Sequence, residues 1–152
     1  MFDGAAVSRR IEVDLAANSQ FLAVEMLVFG RALMGETVQR LRLRDRLRIN
    51  RDGRALLHDA IRIEGDAAAL LCRRSVLGDM RGVATLVYVA PGADAYLPVL
   101  RDALQDAEAG ASCEGGLLVA RIVALTGAAL RHTIEKALLT LRGRPLPRVW
   151  LC

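Results

Sequence analysis

Residues 21–36 read FLAVEMLVFGRALMGE. From Phe21 to Phe29 the only polar side chain is Glu25, and the run then breaks at Gly30-Arg31 and again at Gly35-Glu36. A short apolar run closed by glycine predicts a β-strand buried on both faces, since it is too short for an ordinary helix. Glu25, at its centre, then faces the interior. A buried carboxylate without a partner is either neutralised or heavily destabilising, so a cation is expected beside it. Arg31, just past the glycine, and Arg121, the one charged residue in the apolar run 117–125, are the candidates. Either would make a structural ion pair with Glu25 or a site through which charge passes.

On the N-terminal side, Val7, Ile11, Val13 and Leu15 alternate with Ser8, Arg10, Glu12 and Asp14, the period of a half-buried strand. On the C-terminal side, residues 36–50 alternate more strictly. Leu41, Leu43, Asp45, Leu47 and Ile49 share one face, and Arg40, Arg42, Arg44, Arg46 and Arg48 share the other. Neighbouring arginines on that face stand about 6.6 Å apart at the usual strand rise. Asn50-Arg51-Asp52-Gly53 predicts a three-residue loop, Arg51 to Gly53, with a bulge. The returning strand spans residues 54–64. That loop sets Asn50 against Arg54 and Leu47 against Leu57, and it places Asp45 directly opposite Asp59. Two carboxylates facing each other need an arginine bridge, a shared proton, water or a cation. The last of these makes Asp45 and Asp59 candidates for an ion passage.

Further on, Asp66 is placed to cap a short helix over 67–73, and 83–89 is a strand apolar on both sides. A helix over 95–109, capped by Asp94, is expected to end at Gly110. A strand over 117–125 and a helix over 128–142, closed by Gly143 and Pro145, complete the chain. The pattern predicts an α+β fold, mainly β, of stacked antiparallel strands with two helices in the C-terminal part. It reads as a single domain over 1–152.

The chain has 152 residues, 53% of them hydrophobic but only 4% aromatic, and a net charge of +4. Its core must therefore be aliphatic, and its basic balance suits acidic partners. Cys72, Cys113 and Cys152 are odd in number and widely spaced, which argues against a disulfide framework or a zinc site and for a reducing, cytoplasmic setting. No membrane-spanning run is present in the sequence. His58 and His132 lie far apart, and no nucleophile elbow, zinc-protease or Walker A motif occurs. No catalytic residues are expected, and no tightly bound cofactor or certain metal site. The arginine face reads as a solvated strand face with cross-strand carboxylates such as Glu64, or as a dock for an acidic protein. A basic β-rich nucleic-acid-binding domain is the alternative function, but the face lacks the aromatic rings that stack on bases.

The order Glu25, Gly30-Arg31, Gly35-Glu36 resembles the core of the UreD (UreH) family of urease accessory proteins. Asp52-Gly53, Arg121 and Pro147-Arg148-Val149-Trp150 match it in register, so the resemblance covers residues 2–150. It marks Gly30, Gly35, Glu36, Gly53, Pro147, Arg148 and Trp150 as motif residues. Family members are roughly twice as long, so this chain resembles their C-terminal half, beginning at Phe2-Asp3-Gly4. The resemblance implies a non-catalytic scaffold that binds apo-urease together with the UreF and UreG accessory proteins. It also implies a part in nickel delivery, with Ni²⁺ held only transiently.

Overall fold

The computed structural model describes residues 1–30 and 35–150. Arg31 and Cys152 fall outside the described residues, so the expected pairing of Arg31 with Glu25 does too. The chain forms two compact units: residues 1–19 with 28–79, and residues 20–27 with 80–152.

The first unit is a three-stranded sheet with a short helix. Strand β1 (Ala6–Leu15) pairs with β3 (Arg40–Arg51), which pairs with β4 (Arg54–Asp66); helix α1 (Ala67–Leu71) follows. The β3–β4 ladder is antiparallel, as expected, but β1 runs parallel to β3. Alternation dictates which side chains are buried. Leu41, Leu43, Leu47, Ile49 and Ile63 are buried, while Arg40, Arg42, Arg44, Arg46 and Arg48 are exposed. Asp66 caps α1 as predicted, its Oδ1 accepting from the Ala69 amide at 2.9 Å.

The β3–β4 hairpin differs from the sequence-based register. Asp52 and Gly53 both have positive φ, 49° and 72°, so they form a two-residue turn of the mirror-image class, and Arg51 pairs with Arg54. The ladder then slips at Ile49/Asn50, where Leu56 becomes the extra residue, and beyond the slip Ile49 pairs with Leu57 and Leu43 with Ile63. The tight turn and the bulge together move the register by two residues. Beyond the slip each side chain keeps its expected face but changes its partner. Asp45 therefore lies opposite Ile61, and Asp59 opposite Leu47. The two aspartates are not a facing pair, and the ion passage inferred from that facing falls with it.

The second unit holds a four-stranded sheet in the order β2 (Phe21–Val28), β5 (Gly82–Val89), β7 (Leu117–Ala124), β6 (Glu108–Glu114), with helices α2 (Leu97–Ala103) and α3 (Gly127–Arg142). The strand buried on both faces is β5, where every residue but Val83 is buried. The opening run, β2, forms a strand as expected, but it stands at one end of the sheet and is mostly half-buried. Its end position in the sheet leaves it less covered than β5. Ala84, Leu86, Leu118, Ala120 and Ile122 form one face of β5 and β7 and are almost wholly buried. Gly82, on that same face, lies under Leu130 of α3.

Helix α3 has the predicted span, with Thr126 accepting from the Ala129 amide and Gly143 as its C-cap. It buries Leu130, Ile134, Leu138 and Leu141, at the spacing that makes one stripe of a helix. The other helix is shorter than expected. Ala93–Tyr96 is a 3₁₀ turn, α2 ends at Ala103, and Asp94 gives it no side-chain cap. Residues 108–114, read as the end of that helix and a glycine stop, are instead β6. Gly115 and Gly116, both at positive φ (57° and 77°), make the turn that folds β6 back onto β7. Glu-Ala-Gly-Ala-Ser-Cys-Glu carries little strand propensity, so this strand is held by its partner rather than by its own residues. No described helix is long and apolar enough to cross a membrane.

Candidate functional site

The strongest surface feature is the arginine face of the three-stranded sheet. Arginine at every second position of β3 projects to one side because successive strand side chains alternate. Part of this charge is matched within the sheet. Glu64 on β4 accepts from Arg44 Nε at 2.8 Å and from Arg62 Nη2 at 2.7 Å. Those two arginines, Arg62 first, hold its carboxyl below the usual range. Arg10 Nη2 contacts Glu12 Oε1 at 2.5 Å, and Arg48 Nε donates to Asn50 Oδ1 at 3.1 Å. Arg42 stands opposite the already engaged Glu64. Arg46 stands opposite Ala60 on one side and Arg10 on the other.

On the opposite face, Asp45 is 3% exposed and meets Arg9 of β1, with Arg9 Nε donating to Oδ1 at 2.9 Å and Nη2 to Oδ2 at 2.5 Å. This forked, two-bond geometry is the strong form of an arginine–carboxylate contact. Arg9 was not singled out from the sequence, although its odd position between Val7 and Ile11 places it on the apolar face. That parity was the available signal. Asp59 is half-buried on the same strand face. Among the described residues no three His, Cys, Asp or Glu side chains gather into one cluster.

In the four-stranded sheet, Arg121 is exposed and donates from Nη1 to Thr85 Oγ1 at 2.7 Å, across the pair that joins β7 to β5. Glu25 is half-buried on β2, with its Oε1 shielded from solvent.

The UreD urease accessory protein family model matches residues 1–151. The chain is 44% identical over 151 residues to a urease accessory protein UreD of Rhizobium leguminosarum bv. viciae, covering 99% of this chain. It belongs to the UreD family. A UreD of Methylobacterium sp. (strain 4-46) is 43% identical over 157 residues and one of Cereibacter sphaeroides 42% over 152, each covering 99% of this chain. The chain spans 55–56% of the length of these three UreD relatives.

Family membership gives the motif residues a structural context. Glu36 Oε1 accepts from the Asp3 amide at 3.1 Å, and Asp3 Oδ1 accepts from the amides of Gln39 (2.7 Å) and Arg40 (2.8 Å). Gly4 donates to the Arg40 carbonyl at 2.8 Å. The Phe2-Asp3-Gly4 and Gly35-Glu36 segments are thus latched together at the entry to β3, with Gly30 and Gly35 both at positive φ. The Arg40 and Gln39 amides hold the Asp3 carboxyl below its ordinary value of 3.8. A depressed folded-state value stabilises above the unfolded one and is lost as pH falls through the folded one. Asp3→Asn should therefore lose stability near pH 7 and converge on the wild type below about pH 4, as read by urea midpoints across that range.

At the other end, Arg148–Trp150 is a 3₁₀ turn closed by the Trp150 amide donating to Pro147 O at 2.9 Å. Arg131 of α3 fixes it. Its Nη2 donates to Trp150 O at 2.5 Å, its guanidinium lies 6.0 Å from the Trp150 ring centre, and Glu135 takes Nε at 2.8 Å. Nothing in the sequence marked Arg131, which sits on a half-buried helical position and pairs at i+4. Trp150 is the chain's only tryptophan, so its fluorescence reports this contact alone. Arg131→Ala should shift Trp150 emission to the red and raise its quenching by acrylamide, at a stability cost of about 1–2 kcal/mol.

Proposed function

We propose that this chain works in urease maturation as a non-catalytic scaffold, binding apo-urease and the UreF and UreG accessory proteins and assisting nickel delivery to the urease active site. The observation that carries this reading is the family match across residues 1–151, supported by 44% identity to a named urease accessory protein. The arginine face supports a scaffold: strand alternation holds five exposed arginines of β3 to one side, a charge pattern suited to an acidic protein surface. Arg40, Arg42, Arg44, Arg46 and Arg48 are its contact residues in this reading. In this reading its work is done in the cytoplasm. Ni²⁺ is a transient cargo; Glu25, with Arg31 and Arg121, is where charge would be handled as it passes.

Deletion of the encoding gene in a urease-producing host tests this. Urease should accumulate as apoprotein with its nickel content reduced at least tenfold, and the restored gene should recover it. Nickel content unchanged by the deletion would refute the proposal. Within the rescue, Glu25→Gln should fold normally yet lower nickel incorporation, and full incorporation would remove Glu25 from the pathway.

A further inference from the structure

One part of the arginine face carries more cation than the sheet neutralises. Arg46 faces Arg10 across β1 and Ala60 across β4, and Arg48 faces Glu12 and His58. These residues, with Ile11, line a groove of about 170 Å³. Its lining holds three arginines and one carboxylate, Glu12, which Arg10 already engages at 2.5 Å; the balance is +3 − 1 = +2 with His58 neutral. Elsewhere on the face the charge is shared: Glu64 serves Arg44 and Arg62, and Asp3 lies beside Arg40. Like charges opposed across strands are destabilising, and the methyl of Ala60 supplies no counter-charge beside Arg46. Arg42 too stands opposite a carboxylate already shared by Arg44 and Arg62, so the excess is not confined to this part of the face, but here it borders an open space large enough for several waters.

We propose that this groove binds a phosphate group, with Arg46 as the principal contact and Arg10, Arg48 and His58 as flanking donors. Three guanidiniums offer several forked pairs of N–H donors. A carboxylate's two oxygens are consumed by one fork, whereas a phosphate has oxygens enough for two or more and the double charge to balance +2. Free phosphate or pyrophosphate and the phosphates of a nucleotide share this chemistry. The proposal goes beyond the maturation reading and does not rest on it: partner docking uses the whole face, the anion only this groove.

The test is titration of the 152-residue chain with pyrophosphate, inorganic phosphate and ATP, followed by calorimetry and by phosphorus NMR line broadening. Pyrophosphate at ten times its dissociation constant should raise the melting temperature by about 3–5 °C. Arg46→Ala should weaken binding at least tenfold, Glu12→Gln should tighten it, and Arg62→Ala, which removes an equal charge outside the groove, should leave it within twofold. ATP binding tenfold tighter than pyrophosphate would assign the site to a nucleotide, and equal affinity to the free anion. No broadening of the pyrophosphate resonance at millimolar protein, equal losses in Arg46→Ala and Arg62→Ala, or acetate binding as well as phosphate would each overturn the proposal.

Discussion

Arg9→Ala should destabilise the protein by about 3–5 kcal/mol, more than Asp45→Ala does. The asymmetry comes from burial. Asp45 is 3% exposed, so removing Arg9 strands a carboxylate among leucines and isoleucines, where its desolvation is not repaid. The Arg9 side chain is 37% exposed, so after Asp45→Ala it can turn to water, and a loss of about 1–3 kcal/mol follows. Replacing both at once, Arg9→Met with Asp45→Leu, should recover most of the loss, because a matched apolar pair needs no desolvation. Urea unfolding of the four proteins decides it. Equal losses in the two alanine variants would mean that the carboxylate is hydrated in solution, contrary to its buried position.

The second large effect lies under helix α3. Leu130→Ala should cost about 2–5 kcal/mol, since its side chain is fully buried against the sheet and its loss leaves a cavity. Gly82→Ala alone should cost about 1–3 kcal/mol, because a Cβ there would stand 2.9 Å from Leu130 Cδ2 in a packed interior. In the Leu130→Ala background the same methyl enters vacated space. The double variant should then be no less stable than Leu130→Ala itself, a coupling of at least about 1 kcal/mol. Strict additivity would show that Gly82 is required for its backbone and not for the close approach of the helix.

These two sites differ in how far the sequence discloses them. The alternation of leucine and arginine over 40–49 fixes both the strand and its two faces, because period two admits no other arrangement with leucine buried. The stripe Leu130, Ile134, Leu138, Leu141 discloses α3 for the corresponding reason at period 3.6. Pairing is less visible. Asp-Gly supports both a two-residue and a three-residue turn, and only backbone geometry at Asp52 and Gly53, with the bulge at Leu56, selects the register. That choice separates Asp45 from Asp59. Arg9 becomes the partner of Asp45 through the parallel pairing of β1 with β3, in which it is the residue opposite Asp45. No local pattern reports a parallel contact between residues 36 apart. Strand β6 is hidden because alanine, glycine and serine fit a strand only when a neighbour supplies the ladder. The family motif is legible as spacing, yet its physical sense, the latch of Asp3 and Glu36 at the entry to β3, needs the fold.

The proposed role in urease maturation places partner binding on the arginine face. The direct measurement is co-purification of apo-urease and UreF on a tagged chain of the family's full length, alongside the variant Arg42→Glu/Arg46→Glu. Reversing two exposed arginines leaves the buried face untouched, so the variant should still fold cooperatively, with at most about 1 kcal/mol lost where the new carboxylate at position 42 would face Glu64. The tagged chain should retain both partners in stoichiometric amounts at low salt, and the variant should lose at least tenfold of one of them. Retention of neither partner by the unaltered, folded full-length chain, or full retention of both by the variant, would contradict it.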